Sequence, residues 1–554
     1  MKNQEKYTLL FISLTIIILG FIVYFNSLNG KFIWDDEFLV KNNIYIKNWF
    51  KISNIFTESI GIGAGRKGPC YRPLQMISYM VDYLFWHLNV VGYHLTNILL
   101  HILVALSIFW LTTILFSRQS LALLTSVLFL VHPIHTESVA YISGRADSLS
   151  SLFTILCLIF YIKQGYYKNT TRYILILLSY ILALLSKEYS LIVPLFLLLY
   201  SFSFKKKILI KEFVSILTIV FIYIILRVVI LKLPFFVITT PSTLFQRLPG
   251  FFVALTEYSK LLLLPFNLHM EYGNKLLAFY HPKVLVGIII LFSLISYAFK
   301  KRKTDNLMFF SIFWFFIGLL PVSNLYPINA YMAEHWLYLP SLGFFLILAN
   351  GLILIWNNEK IRPVITILII CILLFYSCLT IMQNIYWKEP LNFYNRILKY
   401  KPNSFKLYHN LGKTYSDMGY SYAAIKAYSK AIEINSKSSE TYNNLGTVYS
   451  HMGKLQEAIE LYKKALEIDP QYADCYFNLG NAYSAINDTQ EAILYYKKAI
   501  DIDPQNAHAY AYYNNLASMY ALLGDMAKAT LFYAKALEIN PDFKTARENL
   551  NKIR

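Results

Sequence analysis

Successive runs of apolar residues fill the first 386 positions of this chain and restrict its fold more than any other feature. A helix needs about 20 apolar residues to cross a bilayer, so each run is a candidate membrane span. With 56% apolar and only 15% charged residues, the composition is typical of a polytopic membrane protein and excludes an ordinary soluble domain. We predict about eleven spans, at residues 8–25, 94–116, 119–132, 145–163, 172–186, 188–203, 208–231, 283–299, 307–320, 336–356 and 363–382.

Three local features have alternative interpretations. The run at 8–25 resembles a cleaved signal peptide, but its apolar core is long and no small-residue cleavage site follows, so we interpret it as a retained span. Residues 248–266 are apolar but are interrupted by charges, which favours an outer interfacial or re-entrant helix. The five cysteines show no metal-ligand or redox spacing, and a Cys70–Cys475 disulfide stays an open alternative.

Lysine and arginine cluster between the apolar runs in a pattern that predicts the orientation. Lys2 and Lys6 precede the first run, and basic residues follow the second, fourth, sixth, eighth and tenth runs. Basic loops stay in the cytoplasm, so the N-terminus is predicted inside. The net charge of +19 then reflects topology, and we expect no nucleic-acid partner. The segments predicted outside are 26–93, 132–144, 187–188, 232–282, 321–335 and everything after 382, at the plasma membrane of a prokaryote or the endoplasmic reticulum of a eukaryote.

The C-terminal region repeats itself every 34 residues, with three extra residues before the fourth copy. The sequences "YHNLGKTY" 408–415, "YNNLGTVY" 442–449, "YFNLGNAY" 476–483 and "YNNLASMY" 513–520 align, each followed by Ala, Tyr and Ala at fixed offsets. This is the tetratricopeptide signature, a helix–turn–helix unit that stacks into a solenoid. We predict a membrane domain at 1–386, a connecting helix and degenerate repeat at 387–404, and a repeat domain at 405–554 with units 405–438, 439–472, 473–509 and 510–543 and a C-terminal cap.

One asparagine recurs at the same place in the first helix of each repeat: Asn410, Asn444, Asn478 and Asn515. First helices line the concave face of such a solenoid, and an amide side chain offers both an acceptor and donors to a peptide backbone. We therefore expect this asparagine ladder to bind an acceptor polypeptide. The alternative is that asparagine is simply a common consensus residue there.

Acids, histidines and bases recur at the segments predicted outside. Each has a plain alternative: a capping pair, an ordered polar loop, a surface ion pair or a tight turn. The spacing of His132, His135 and Glu137 could also hold a metal ion, but a proline breaks the segment. A bound divalent cation is therefore an open alternative. The candidates are Asp35 and Asp36; Arg72; His132, His135, Glu137, Arg145 and Asp147; Lys187 and Glu188; and Glu334 and His335.

Together these groups suit sugar transfer from a lipid phosphate donor. A Ser or Thr hydroxyl is a poor nucleophile, and a carboxylate that accepts its proton accelerates attack by roughly 10²–10⁴. The leaving phosphate gains charge, which Arg72, Arg145 and Lys187 could stabilise. Asp35 and Asp36 lie beside the first span, where a membrane-bound donor would meet a soluble acceptor.

The chain resembles the transmembrane and tetratricopeptide-repeat (TMTC-type) O-mannosyltransferases, which are C-type (GT-C) integral-membrane glycosyltransferases. The motifs that carry the resemblance cover nearly the whole membrane half, and the repeats follow in the family's order. They are "FIWDDEFLVKNN" 32–43, "YRPL" 71–74, "YHLTNILLH" 93–101, "HPIHTESVAYISGRAD" 132–147, "SKE" 186–188, "LLLLPFNLHMEY" 261–272 and "AEHWLYLPSLGF" 333–344. The fold implied is all-α, a GT-C-like membrane domain followed by an α-solenoid.

The resemblance implies inverting transfer of mannose, or a related hexose, from a polyprenyl-phosphate donor to Ser or Thr of an acceptor protein. It also implies that the acid pair contains the base, for which we favour Asp35, with Asp36 and Glu137 as further catalytic candidates and the remaining polar residues as donor contacts. His335 departs from the family, which usually has arginine there. Four clear repeats also make a short solenoid.

Two other classes of function remain. The chain could be a non-catalytic membrane anchor whose repeats assemble an envelope or secretion complex, although the acid pair speaks against this. A transporter or polysaccharide polymerase is less suited, because transporters place charges near the membrane midplane and the charges here lie at span ends.

Overall fold

The computed structural model describes residues 2–553 apart from 67, 164–168, 235–242, 274–276, 329 and 505–508. The basic residue Lys168 and parts of the predicted outer stretch 232–282 therefore lie outside the described residues. The described chain is helical, contains no β-strand within those ranges, and keeps all five cysteines as free thiols rather than a Cys70–Cys475 disulfide. It divides into two compact units, Met1–Tyr400 and Lys401–Arg554, so the helix after the last span belongs to the first unit.

The predicted apolar runs all coincide with helical segments of the first unit. Seven helices are long and apolar enough to cross a membrane: Tyr7–Ser27, Val90–Phe116, Ile142–Ile162, Asn169–Ser186, Ile210–Ile230, Pro282–Lys301 and Arg362–Tyr386. Gln119–Val131 and Pro133–Val139 form an eighth candidate that bends by 54° at a proline, whose ring and missing N–H interrupt a helix. The remaining three runs form the shorter apolar helices Glu188–Ser203, Asn306–Val322 and Ser341–Trp356.

Side-chain exposure separates helices at the rim of this unit from helices inside it. Within the most apolar 18 residues of each helix, only 17% are buried in Ile210–Ile230 and in Arg362–Tyr386, whereas 78% are buried in Ile142–Ile162. Apolar side chains such as Phe221 and Ile367 are left uncovered by protein, as expected for residues that face lipid. The first unit is therefore a multi-pass membrane domain.

Several helices of this unit lie outside the membrane-span candidates. Pro73–Trp86 lies between the first two span candidates, and Leu244–Leu263 occupies the stretch predicted as interfacial or re-entrant. The latter begins with a capping box at Thr243 and packs against the helix Pro282–Lys301. Pro390–Leu398 follows the last span and ends the first unit.

The described part of the second unit is a stack of helix pairs. Each pair packs through small residues, because a glycine of the first helix lies against a tyrosine ring of the second in the first three repeats. An added Cβ on Gly446 would lie 2.8 Å from the Tyr462 ring. The helices are Phe405–Asp417, Ser421–Ile434, Ser439–His451, Leu455–Ile468, Ala473–Ala485, Thr489–Ile502, Ala509–Leu522, Met526–Ile539 and Lys544–Ile553.

Replacing this packing glycine should destabilise the repeats. Gly446→Ala raises intrinsic helix propensity, but the methyl group would collide with the Tyr462 ring, and overpacking of this kind costs about 1–3 kcal/mol. We expect a lower unfolding temperature of the purified chain, whereas Gln456→Ala, an exposed position of the same repeat, should leave it unchanged. Equal unfolding temperatures for both variants would contradict this packing.

Candidate active site

Asp36 is a buried carboxylate in the segment that follows the first membrane-span candidate. Its side chain is 1% exposed and accepts hydrogen bonds from the main-chain N–H of Ser143 at 2.8 Å, from the Ser143 hydroxyl, and from the main-chain N–H of Ile33 at 3.0 Å. Burial raises the pKa of Asp36 to about 7, because desolvation outweighs these three donors. The carboxylate thus connects residue 36 to the loop that follows the bent helix pair.

Asp35 is the more accessible member of the acid pair. Its residue is half-buried, and its main-chain N–H donates to the hydroxyl of Tyr141 at 3.1 Å. Tyr141 and Ser143 thereby fix both acids from one short segment. The pair is divided into a carboxylate held by the protein and one that is more open to a ligand.

Lys187 and Asp147 form an ion pair beside an open cleft. The lysine Nζ lies 2.7 Å from an Asp147 oxygen and 4.6 Å from the centre of the Tyr189 ring. The cleft is small and open to solvent, with a cavity volume of about 30 Å³. Its lining includes this ion pair together with His335 and Trp336. A cation, a histidine and apolar walls therefore share one concave surface.

Glu188 is held between two arginines. Arg72 donates through Nε and one terminal nitrogen to both carboxylate oxygens, at 3.3 and 3.2 Å. Arg227 lies on the other side, 4.0 Å from Glu188, and also donates to the carbonyl of Pro69 at 2.8 Å. The three residues connect the segment after the first span candidate to two later helices.

Glu137 lies against His335 and close to a second buried acid. Its carboxylate is 2.7 Å from the His335 Nδ1 and accepts from the His335 main chain at 3.1 Å. Glu334 accepts from the main chain of His269 and from the hydroxyl of Tyr272. Burial and the Glu137 carboxylate raise the pKa of Glu334 well above its ordinary value. These acids bring three separate segments of the chain into contact, around residues 137, 269–272 and 334–335.

Arg145 has the contacts of a scaffold residue, unlike the donor-phosphate contact we predicted. Its side chain is fully buried, forms a 2.6 Å ion pair with Asp82, and donates to Asn97 at 2.7 Å and to the Tyr93 carbonyl at 2.9 Å. A fourth bond reaches Ser78 at 3.1 Å. Three hydrogen bonds and one ion pair therefore engage Arg145 inside the protein, and its contact with a donor stays a prediction.

The two histidines of the "HPIH" segment are also enclosed. His132 is fully buried, with its ring nitrogens on the carbonyl of Leu262 and the N–H of Ile134. His135 is fully buried and packs on Phe129, with ring centres 4.2 Å apart. Within the described ranges no three His, Cys, Asp or Glu side chains are placed to hold a metal ion.

The asparagine ladder of the second unit is partly occupied by its own repeats. Asn478 donates to Asn443 at 3.0 Å, and Asn515 donates to Asn481 at 2.8 Å. Asn410 and Asn444 occupy the equivalent positions, and all four ladder asparagines are half-buried. The amides therefore link neighbouring repeats and keep part of their surface open.

The structure brings together most of the predicted polar residues and adds partners that the sequence did not mark. Asp35 and Asp36 join the 141–147 segment, Lys187 joins Asp147, and Glu137 joins His335. Among the missed residues, Arg227 carried a readable signal, because a lone arginine in the run "FIYIILRVVI" marks a buried partner or a functional site. The roles of Tyr141, Ser143, Asp82 and Asn97 depend on distant contacts and had no local signal.

Removing the acid between the two arginines should destabilise the membrane unit. Glu188→Gln leaves two largely buried cations without their counter-charge, and breaking a buried pair costs about 3–5 kcal/mol. We expect a large drop in the yield of monodisperse protein after stepwise heating in detergent. Glu359→Gln, at a carboxylate that is 87% exposed, is the control and should behave as the wild type. Full heat resistance of Glu188→Gln would contradict this structural role of Glu188.

Both parts of the chain are similar to known proteins. Tetratricopeptide-repeat sequence models match residues 403–471, 437–505 and 510–543. Protein O-mannosyl-transferase F38B6.6 of Caenorhabditis elegans is 27% identical over 436 residues, which cover 76% of this chain and 62% of that protein. Protein O-mannosyl-transferase TMTC3 of Homo sapiens is 26% identical over 70% of this chain and 47% of its own length, and TMTC4 of Mus musculus is 25% identical over 74% and 65%.

These matches are too long to rest on the repeats alone. A match over 76% of the chain extends far into the unit Met1–Tyr400, because the second unit holds only residues 401–554. The chain spans about half to two thirds of the length of these curated relatives. By sequence and by its combination of membrane helices with repeats, the chain is similar to the TMTC-type protein O-mannosyl-transferases.

Proposed function

We propose that this protein is an O-mannosyltransferase that moves mannose from a polyprenyl-phosphate donor to Ser or Thr of an acceptor protein. The names of its relatives, protein O-mannosyl-transferases, support the reaction class. The buried and half-buried acids of the first loop and the Lys187 cleft supply groups for base catalysis and for phosphate binding. The membrane unit would hold the lipid donor.

The observation that carries the proposal is the meeting of polar segments that lie far apart in sequence. Residue 36 bonds to residue 143, residue 72 to residue 188, residue 147 to residue 187, and residue 137 to residue 335. Each of these residues lies in or beside a segment that the basic residues assign to the outside. Their contacts favour a single polar site on the extracytoplasmic or lumenal side.

In the proposed reaction Asp35 is the base. Its carboxylate takes the proton of the acceptor hydroxyl while the hydroxyl oxygen attacks C1 of the mannosyl group. The bond from C1 to the phosphate oxygen breaks, and the polyprenyl phosphate leaves with the electron pair, which inverts the anomeric centre. Asp36 positions the pair, because its oxygens are already bonded to Ile33 and Ser143. Asp35 is assigned the chemical step because it is the less enclosed of the two.

The cleft is suited to the donor phosphate. Lys187 keeps two N–H donors beyond its bond to Asp147, and Lys187 and His335 both line the cleft. A charge-assisted bond to the leaving phosphate would strengthen as that group gains charge. The neighbouring side chains of Trp336, Leu339 and Pro340 give the cleft an apolar wall, beside which a lipid carrier would lie.

The repeats are assigned to the acceptor. Tetratricopeptide solenoids offer a concave surface for an extended polypeptide, and the ladder amides can bond main-chain groups without demanding a sequence. Asn410 and Asn444 extend the same row as Asn478 and Asn515, whose bonds to neighbouring repeats are described above. Whether a related hexose replaces mannose is decided by offering other polyprenyl-phosphate sugars in the assay below.

Loss of the acid pair should abolish transfer. Asp35→Asn removes the proton acceptor, and we expect the rate to fall at least about 10²-fold. Asp36→Asn should also lower the rate, because its side-chain NH₂ group would face one of the N–H groups that now donate to the carboxylate. The assay supplies membranes with polyprenyl-phosphate [³H]mannose and a Ser/Thr-rich protein, and counts label in protein, with and without EDTA to test for a divalent cation.

The controls separate this proposal from its rivals. Glu359→Gln changes an exposed acid and should transfer normally. Equal transfer by the wild type and Asp35→Asn would clear this acid and direct attention to Glu137. Absence of transfer with every sugar and acceptor offered to the wild type would overturn the enzyme and leave the membrane-anchored scaffold.

Neutralising the Lys187–Asp147 pair should weaken donor binding. The double variant Lys187→Gln/Asp147→Asn keeps a hydrogen-bonded pair and removes the cation, so the fold is not left with an unpaired charge. A charge-assisted hydrogen bond is worth about 1.5–3 kcal/mol, so we expect the donor KM to rise roughly 10- to 100-fold with an unchanged acceptor KM. Lys283→Gln/Glu257→Gln, another lysine–acid pair of this unit, is the matched control. A donor KM like that of the wild type would place the phosphate elsewhere.

A further inference from the structure

The residue before the acid pair has an unusual main-chain conformation. Trp34 has φ of 54°, in the left-handed region that glycine, asparagine and aspartate prefer. Residues 33–36 form a turn in which the N–H of Asp36 donates to the carbonyl of Ile33 at 3.0 Å. A turn with positive φ at its second residue usually contains glycine or asparagine there, so tryptophan is disfavoured unless other contacts stabilise it.

The same turn aims the Asp36 carboxylate. One carboxylate oxygen returns to the N–H of Ile33, and the other reaches Ser143. Both contacts require the chain to reverse direction at Trp34, since Ile33 and Asp36 lie at the two ends of the turn. The conformation of Trp34 and the position of the acid pair are therefore one geometric feature.

The contacts that stabilise Trp34 come from the segment after the last membrane span. The Trp34 ring lies 6.1 Å from the Phe393 ring and 6.0 Å from the Tyr394 ring. A hydrogen bond joins the Tyr394 hydroxyl to the main chain of Trp34. Trp387 packs on Phe393 with ring centres 4.9 Å apart. We call Trp387, Phe393 and Tyr394 the aromatic clamp; all three are at most 5% exposed.

The aromatic clamp also contacts the other support of the acid pair. Trp387 is stacked on Tyr141 at 5.2 Å, and the Tyr141 hydroxyl accepts from the N–H of Asp35. The main-chain N–H of Lys31 donates to the carbonyl of Lys388 at 2.9 Å. This bond fixes the residues that lead into the turn. One short segment thus holds both sides of the acid pair.

We propose that the segment Trp387–Tyr394 is a positioning element of the active site, and that its aromatic clamp keeps Trp34 in the left-handed conformation that sets Asp35 and Asp36 for catalysis. The inference rests on the proposed transferase function for its kinetic readout. Ordinary packing predicts that any loss of the Trp34 ring is equally harmful. A positioning role predicts that the harm depends on whether the replacement can adopt positive φ.

The experiment compares Trp34→Gly with Trp34→Ala. Both lose the ring, but glycine adopts positive φ without a steric cost, whereas alanine does not. We expect the glycine variant to keep a kcat roughly tenfold above that of the alanine variant, with donor and acceptor KM within about twofold of each other. The glycine variant should also unfold at the higher temperature in detergent, a readout that needs no activity.

Trp49 provides the matched control. It is a partly exposed tryptophan of the same loop, in the 3₁₀ helix Trp49–Lys51, where φ is ordinary. Trp49→Gly and Trp49→Ala should both transfer normally, and the glycine variant should be the less stable of the two. The order of glycine and alanine is therefore expected to reverse between the two positions.

A double-mutant cycle tests the aromatic clamp itself. Phe393→Leu should lower kcat in the wild type but have a smaller effect in the Trp34→Gly background, where the strained residue is gone. Equal kcat and equal unfolding temperature for Trp34→Gly and Trp34→Ala would overturn the inference. If the wild type transfers no sugar, the proposed function fails, and the unfolding temperatures still decide whether the clamp stabilises the strained turn.

Discussion

The fully buried guanidinium group of Arg145 connects three helices of the membrane unit beside the candidate site. Arg145 pairs with Asp82 and bonds to Asn97 and to the Tyr93 carbonyl, so it joins the helices Pro73–Trp86 and Val90–Phe116 to its own helix. A buried charge is tolerated only with such a set of partners, and loss of one partner leaves the others unpaired. The segment around Arg145 has therefore little freedom to move.

Both halves of the candidate site are attached to that segment. Two residues before Arg145, Ser143 holds the Asp36 carboxylate, and two residues after it, Asp147 holds Lys187 beside the cleft. The acid that positions the proposed base and the cation that would meet a phosphate are thus both held by residues 143–147. Fixed donors and charges of this kind stabilise a transition state without reorganising during the reaction.

The sequence predicted the elements better than the contacts. Periodicity of 34 residues defines the helix pairs, and apolar runs locate the helices of the membrane unit, because both signals are local. Arg145 shows the limit: its residue type suggested phosphate binding, but its partners at 82, 93 and 97 are invisible to any local pattern. The positive φ of Trp34 is equally hidden, since tryptophan is not a residue that announces such a turn.

The bonds between asparagines of neighbouring repeats have a consequence for turnover. A peptide that binds Asn478 or Asn515 must share or displace the side-chain hydrogen bonds that these residues already make to Asn443 and Asn481. Each new hydrogen bond to the peptide therefore adds only a small net binding free energy. Such a surface would hold polypeptides briefly and release them readily. Under the proposed function, short residence times suit a protein that acts on many hydroxyl groups of many chains, and they would serve poorly in a permanent assembly.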